Sequence, residues 1–282
     1  MWLLKFILFG ILGLVIGLVV LYRRSRNFRF HIKYFSFNCF MLFAAIYALV
    51  IGVFHPFDVE NWSRAKGLVY NCLVKFFAIR VDVEGLDIFN SLSGKNFVVV
   101  ANHQSSLDMF PLLKTTPRRT TFLAKKELLF VPLFGFAAWL YGVIFINRGH
   151  SKSARNVMDK TLKRILEEKI NVWIFPEGTR SQSGTLLPFK KGAFHLAQQT
   201  QLPIVPVVFY DYSSIFNKKN KLFESGIIKV KVLKPIPTEG TTPDDVSVIT
   251  ENVRQVMLKV FHEHDHTGNE NDASSIDDKK IN

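Results

Sequence analysis

Cysteine is almost missing from this chain: Cys39 and Cys72 are the 2 in 282 residues. They make no metal-ligand spacing, and one lies in an apolar run, so both are predicted to be buried thiols and a disulfide framework is excluded. Acidic residues are few, 23 Asp and Glu against 36 Lys and Arg, and the resulting net charge of +13 calls for an anionic partner. That partner is nucleic acid, a membrane surface or a phosphorylated substrate. Trp and Tyr are scarce, at 4 and 7 against 27 Phe. Such a balance suits apolar packing and lipid contact better than base stacking, and it sets nucleic acid aside. There is no internal repeat. Residues 263–282 hold almost nothing apolar to bury and are predicted to be a disordered polar tail. His262, His264 and His266 at its start lack supporting acids and read as a solvated run, so no metal site is predicted.

What the chain does have is apolar residues, 48% of the total, ample for a sizeable core. Residues 6–22 form a continuous apolar stretch between Trp2 and Tyr22, at the short end of what crosses a hydrocarbon core of roughly 30 Å. It lacks a clean small-x-small cleavage site and is followed by arginines, which predicts a retained anchor. A second stretch, 34–54, again fits a span, with Ser36 and Asn38 weakening its first turn. Between them lie Arg23, Arg24, Arg26, Arg29 and Lys33, an acid-free linker that the positive-inside rule puts on the cytosolic face. The end of the chain, Lys279-Lys280-Ile281-Asn282, resembles a dilysine retrieval signal read from the cytosol, which points to the endoplasmic reticulum. A cytosolic globular domain then requires the second stretch to be re-entrant or interfacial. The predicted organisation is a membrane anchor over 1–57, with two hydrophobic helices and a basic linker, then one domain over 58–262 and the polar tail.

After Phe54, short β-rich runs alternate with helical patterns, the mark of an α/β layer architecture. Strands are predicted at 79–84, 97–101, 120–124, 142–146, 172–175, 204–210 and 227–233, and helices at 106–114, 131–140, 153–168, 191–200 and 246–262. Four stretches at strand ends carry unusual chemistry. The first is Asn102-His103-Gln104-Ser105-Ser106-Leu107-Asp108, where a histidine and an acid read as a base and its orienter. A helix-capping box at Ser105 and Asp108 is the competing explanation. The second is the strand 142–146, which ends in Asn147 and Arg148; an ordinary surface charge would account for it equally. The third is Phe175-Pro176-Glu177-Gly178-Thr179-Arg180-Ser181. Turn chemistry explains Pro176 and Gly178 but does not require the acid, hydroxyl and guanidinium of Glu177, Thr179 and Arg180. The fourth, Leu202-Pro203-Ile204-Val205-Pro206, is apolar and twice interrupted by proline, predicting a kinked or edge strand beside an apolar groove.

In order and behind a membrane anchor, these four stretches resemble motifs I to IV of the glycerolipid acyltransferase family. The similarity extends through Ala124-Lys125-Lys126-Glu127-Leu128, through 187–194 and through 237–245, and covers roughly residues 60 to 262. It is closest to the animal 1-acylglycerol-3-phosphate acyltransferases, which make phosphatidic acid from lysophosphatidic acid. The resemblance implies a single αβ acyltransferase domain, with acyl-CoA as co-substrate, no bound cofactor, and lysophosphatidic acid and membrane lipids as partners. It further implies that His103 deprotonates the acceptor hydroxyl while Asp108 fixes the imidazole, with no enzyme nucleophile. Ser105 and Ser106 raise a covalent alternative but are better explained as capping residues. Motifs II and III are implied to hold the glycerophosphate: Arg148 and Arg180 by forked hydrogen bonds, Lys125 as a point charge, and Gly178 and Thr179 from the same loop. Glu177 would bind a glycerol hydroxyl or hold Arg180. Phe145, Pro203, Val205 and Pro206 are expected to line an acyl groove. Acylation of another lysophospholipid or of glycerol 3-phosphate is the alternative within the family. Outside it stand a thioesterase or hydrolase activating water, and a non-catalytic lipid binder.

Overall fold

The computed structural model describes the backbone of residues 2–92, 94–146 and 151–277, and the side chains of all of these except 151–156, 158, 159 and 264–277. The two apolar stretches form α1 (Trp2–Arg24) and α2 (Arg26–Phe54), both long and apolar enough to cross a membrane. The expected basic linker shrinks to Ser25, whose Oγ accepts the Phe28 N–H as an N-cap; its arginines belong to the helices on either side. No residue of α1 is buried. In α2, by contrast, Phe30, Phe37, Ala45 and Gly52 are buried against the domain, while Phe35, Phe43, Val50 and Phe54 face outward.

The sequence reading has no helix at α3 (Asn61–Phe77), although Asn61, Ala65, Val69, Leu73 and Phe77 recur every fourth residue and all are buried. Cys72 sits beside that stripe and is exposed, and Cys39 on α2 is half-buried, so neither is the buried thiol predicted. The cause is helical phase, since one step from Leu73 turns a side chain away from the core.

The remaining elements follow as β1 (Ile79–Glu84), α4 (Asp87–Ser91), β2 (Val98–Ala101), α5 (Met109–Thr115), β3 (Thr120–Lys125), α6 (Phe134–Leu140), β4 (Ile144–Ile146), α7 (Ser151–Glu168), β5 (Asn171–Ile174), α8 (Gly192–Thr200), β6 (Ile204–Phe209), the short hairpin β7 (Phe216–Asn217) and β8 (Leu222–Phe223), β9 (Gly226–Val232) and α9 (Val246–Asp277). All seven predicted strands are present. They form one sheet in the order β1-β9-β6-β2-β5-β3-β4, parallel throughout except between β6 and β9. Helix α9 continues to Asp277, past the predicted end at 262, and the terminal lysines lie outside the described residues.

Sheet pleating divides the core in two. Val99, Ala101, Val205, Val207 and Phe209 face α2, α3 and α5, where Phe37, Leu73, Phe77 and Phe110 meet them. Val98, Val100, Val172, Ile174 and Val208 face the opposite side, where Phe194, Leu196, Val253 and Met257 of α8 and α9 cover them. Strands buried on both faces read as continuous apolar runs, which is why 97–101 and 204–209 show no alternation.

The fourth stretch departs from expectation. β6 is not at an edge: it lies between β2 and β9. The antiparallel register with the returning chain slips by one residue between the Val207–Val232 and Ile204–Ile236 pairs, the extra residue lying on the returning chain. Pro206 lies opposite that bulge, where the regular ladder is interrupted and its carbonyl still accepts the Leu233 N–H at 2.9 Å.

Candidate active site

Where β2 ends, the chain is bolted to the end of β6. The Asn102 amide donates to the Phe209 carbonyl (2.9 Å) and accepts the Phe209 N–H (2.8 Å), and the Gln104 amide donates to the carbonyls of Phe209 and Tyr210, both at 2.9 Å. His103 is thus carried on a short segment with no freedom to wander. Its ring stacks on Phe175 at the end of β5, with centroids 4.1 Å apart and planes 18° apart. That contact sets the plane of the imidazole.

The capping box exists and serves the site as well. Ser105 Oγ accepts the Leu107 N–H at 2.9 Å, and Asp108 Oδ2 accepts the N–H groups of Gln104 (2.8 Å) and Ser105 (3.1 Å). The same Oδ2 lies 2.5 Å from His103 Nδ1. On its other oxygen, Asp108 accepts the Tyr212 hydroxyl at 2.5 Å, and the Ser105 hydroxyl lies 2.9 Å from that phenol. A buried carboxylate with this many donors is held in one rotamer. Since carboxylate oxygens only accept, Nδ1 carries the proton, leaving the Nε2 lone pair outward. Burial, then the Asp108 charge, raises the Tyr212 phenol far above its ordinary range, so it stays a donor.

Arg180 Nε donates to His103 Nε2 at 3.3 Å. Arg180 and Thr179 are exposed at the rim, on a loop turned by Gly178 at φ +71°, a conformation that favours glycine. Glu177 braces the backbone of the site. It is 4% exposed, and its two oxygens accept the N–H groups of His103 (2.7 Å) and Leu187 (3.0 Å). Burial raises its pKa above the ordinary 4.5, partly offset by those backbone donors. The residue therefore ties the β5 loop to the β2 loop, and the Ser181 N–H bond to the His103 carbonyl at 2.9 Å adds a second tie.

These groups face a cavity of about 510 Å³. His103, Lys125, Gly178, Thr179 and Arg180 line it, as does Phe145; its apolar walls come from Met41, Ala44, Ala45 and Ala48 of α2 with Trp62 and Val69 of α3. Pro203, Val205 and Pro206 do not line it. Val205 is wholly buried in the middle of the sheet, beneath the helices that wall the cavity. Arg148 lies outside the described residues. Tyr212 and helix α3 are absent from the sequence-based expectations, as are the stacking role of Phe175 and the wall formed by α2. For α3 the four-residue spacing was a usable signal, whereas nothing local marks Tyr212, which meets Asp108 only through the fold. Among the described residues, no group of three His, Cys, Asp or Glu side chains converges as metal ligands would.

Known proteins are similar to this chain over most of its length. The Acyltransferase family model matches residues 80–210, from β1 to just past β6. The human 1-acyl-sn-glycerol-3-phosphate acyltransferase alpha is 41% identical over 263 residues, covering 93% of this chain and 91% of its own. The human beta form is 40% identical over 263 residues, at 93% coverage of both, and the Saccharomyces cerevisiae 1-acyl-sn-glycerol-3-phosphate acyltransferase is 37% identical over 233 residues, covering 82% and 75%. The crystal structure of the 1-acyl-sn-glycerophosphate (LPA) acyltransferase PlsC from Thermotoga maritima superposes with a TM-score of 0.61 at 24% identity, covering 84% of this chain and 98% of that one, and so shares its fold. The His103–Asp108 pair, the αβ sheet that holds it and this degree of identity over most of the chain place the protein in the acyltransferase family of the 1-acyl-sn-glycerol-3-phosphate acyltransferases.

Proposed function

We propose that this protein acylates the sn-2 hydroxyl of 1-acylglycerol 3-phosphate with acyl-CoA, giving phosphatidic acid and CoA in phospholipid synthesis. The observation that carries the mechanism is the fixed imidazole: Nδ1 bonded to Asp108 and Nε2 aimed at a cavity with one cationic rim and apolar walls. The acceptor hydroxyl gives its proton to Nε2 as its oxygen attacks the thioester carbonyl. Collapse of the tetrahedral intermediate breaks the carbon–sulfur bond, and the imidazolium returns the proton to the leaving CoA sulfur. Asp108 stabilises the imidazolium in between, as the acid of a serine-protease triad does, while the substrate supplies the nucleophile.

Arg180 binds the acceptor phosphate, with Lys125 and Arg148 as further cations, and Gly178 and Thr179 shape the loop beneath it. The Arg180 guanidinium donates to Nε2 at 3.3 Å, so the cation that binds the phosphate stands beside the base. Phe145 and the walls from α2 and α3 hold acyl chain. The two apolar helices associate the protein with membrane. We place it in the endoplasmic reticulum with the domain facing the cytosol, where the soluble co-substrate is.

The test is purified protein in detergent offered a panel of lysophospholipids, glycerol 3-phosphate and acyl-CoAs, with products identified by mass. Phosphatidic acid from lysophosphatidic acid is expected. Faster acylation of another acceptor replaces the substrate assignment, and release of free fatty acid without acceptor replaces the reaction.

A further inference from the structure

We infer that the β7–β8 hairpin is a membrane-docking element, which joins the α1–α2 hinge to form one basic face for anionic lipid headgroups. Nearly two hundred residues separate the two in sequence, and the fold brings them together. The Arg26 guanidinium donates to the Asn220 carbonyl at 2.9 Å; Lys221 Nζ lies over the Phe30 ring at 5.4 Å, and Lys218 Nζ over Tyr34 at 5.8 Å. Phe216 stacks on both of those rings, with centroids at 6.1 and 5.9 Å, so the hairpin is seated on α2 by packing as well as by charge. Arg29 reaches the opposite way to the Tyr22 carbonyl at the end of α1 (3.3 Å), and with Lys33 it pairs with Glu224.

That arrangement consumes the carboxylate and leaves cations over. Glu224 is shared by Arg29 and Lys33, whereas Arg23, Arg24, Arg26, Lys218 and Lys219 remain exposed. These cations stand where an unburied apolar helix, α1, ends in Arg23 and Arg24. With α1 in the hydrocarbon, the hinge lies at headgroup level, and the hairpin lysines are held beside it. A cationic surface fixed at that level fits phosphate-bearing anionic lipid, and its attraction falls off within a Debye length of roughly 8 Å at physiological salt. Lipid as the occupant is argued from continuity with the apolar helix, which a soluble anion does not share.

The experiment uses the full chain in lipid nanodiscs, with Asn220→Cys carrying an environment-sensitive dye in a Cys39→Ser, Cys72→Ser background. Quenching by spin-labelled lipid reports hairpin contact with the bilayer and does not depend on catalysis. We expect strong quenching in discs containing anionic lipid, weaker quenching in pure phosphatidylcholine, and loss of the difference in about 1 M salt. Lys218→Gln/Lys219→Gln/Lys221→Gln should abolish it. Lys219→Gln alone, at a side chain that packs on no ring, should weaken hairpin partitioning about fivefold without disturbing the fold. Acyl transfer in detergent by the single variant should be unchanged. Equal quenching in neutral and anionic discs, or full quenching retained by both variants, overturns the proposal.

Discussion

At the scale of single residues, the site is a chain of hydrogen bonds that runs inward from His103 to Asp108 and then to Tyr212. Replacing His103 with Ala should lower acyl transfer by about 10²–10⁴-fold, the span that general-base catalysis contributes, with the thermal midpoint in detergent little changed; near-normal turnover would remove His103 from the mechanism. Tyr212→Phe keeps the ring and deletes one donor to a buried carboxylate, a bond worth roughly 1.5–3 kcal/mol. It should lower kcat with little change in KM for lysophosphatidic acid, and measuring the two separately distinguishes loss of the Asp108 brace from loss of binding. Glu177 gives a pH signature. Its carboxyl is raised in the fold, so the folded state binds its proton more tightly, and the contribution to stability is present below about 4.5 and lost as pH rises through the folded value. Glu177→Gln should therefore flatten the pH dependence of the thermal midpoint just above 4.5; an unchanged profile would count against burial as the cause.

At the scale of elements, α2 is both an apolar membrane-type helix and a wall of the cavity. It can be both because small residues let it lie close to the domain. A Cβ added at Gly52 would meet Leu140 Cβ at 2.8 Å, so Gly52→Val must push α2 away from α6. Overpacking of this kind costs about 1–3 kcal/mol, and displacement of the Ala44, Ala45 and Ala48 wall should widen the range of acyl chains accepted. Thermal midpoints and a chain-length panel on the variant check both. The element scale is also where sequence reading did best and worst. Strands β2 and β6 were legible as apolar runs because they are buried on both faces. The place of β6 in the middle of the sheet was not legible: two prolines argue for an edge, and the register slip opposite Pro206 is a long-range feature.

At the scale of the whole molecule, α1 buries nothing and α2 packs along its length on the domain, so the two apolar helices are not equivalent. Deleting residues 2–25 should leave acyl transfer in detergent within about twofold, because no side chain of α1 enters the cavity or core, while membrane recovery after high-salt washing falls. Loss of folding in that variant would show that α1 is part of the domain.

The amino-acid sequence by itself determined the α/β alternation, the two apolar helices, and the His103, Asp108 and Arg180 motif positions, since each is written within a few residues as a period, a run or a spacing. The tertiary structure alone decided what those residues meet. Tyr212 reaches Asp108 across 104 residues, Glu177 accepts two backbone N–H groups from separate loops, and the cavity is walled by α2 and α3. Those contacts depend on strand order and helix phase. Both are fixed by packing of the whole chain and leave no mark in any short stretch of it.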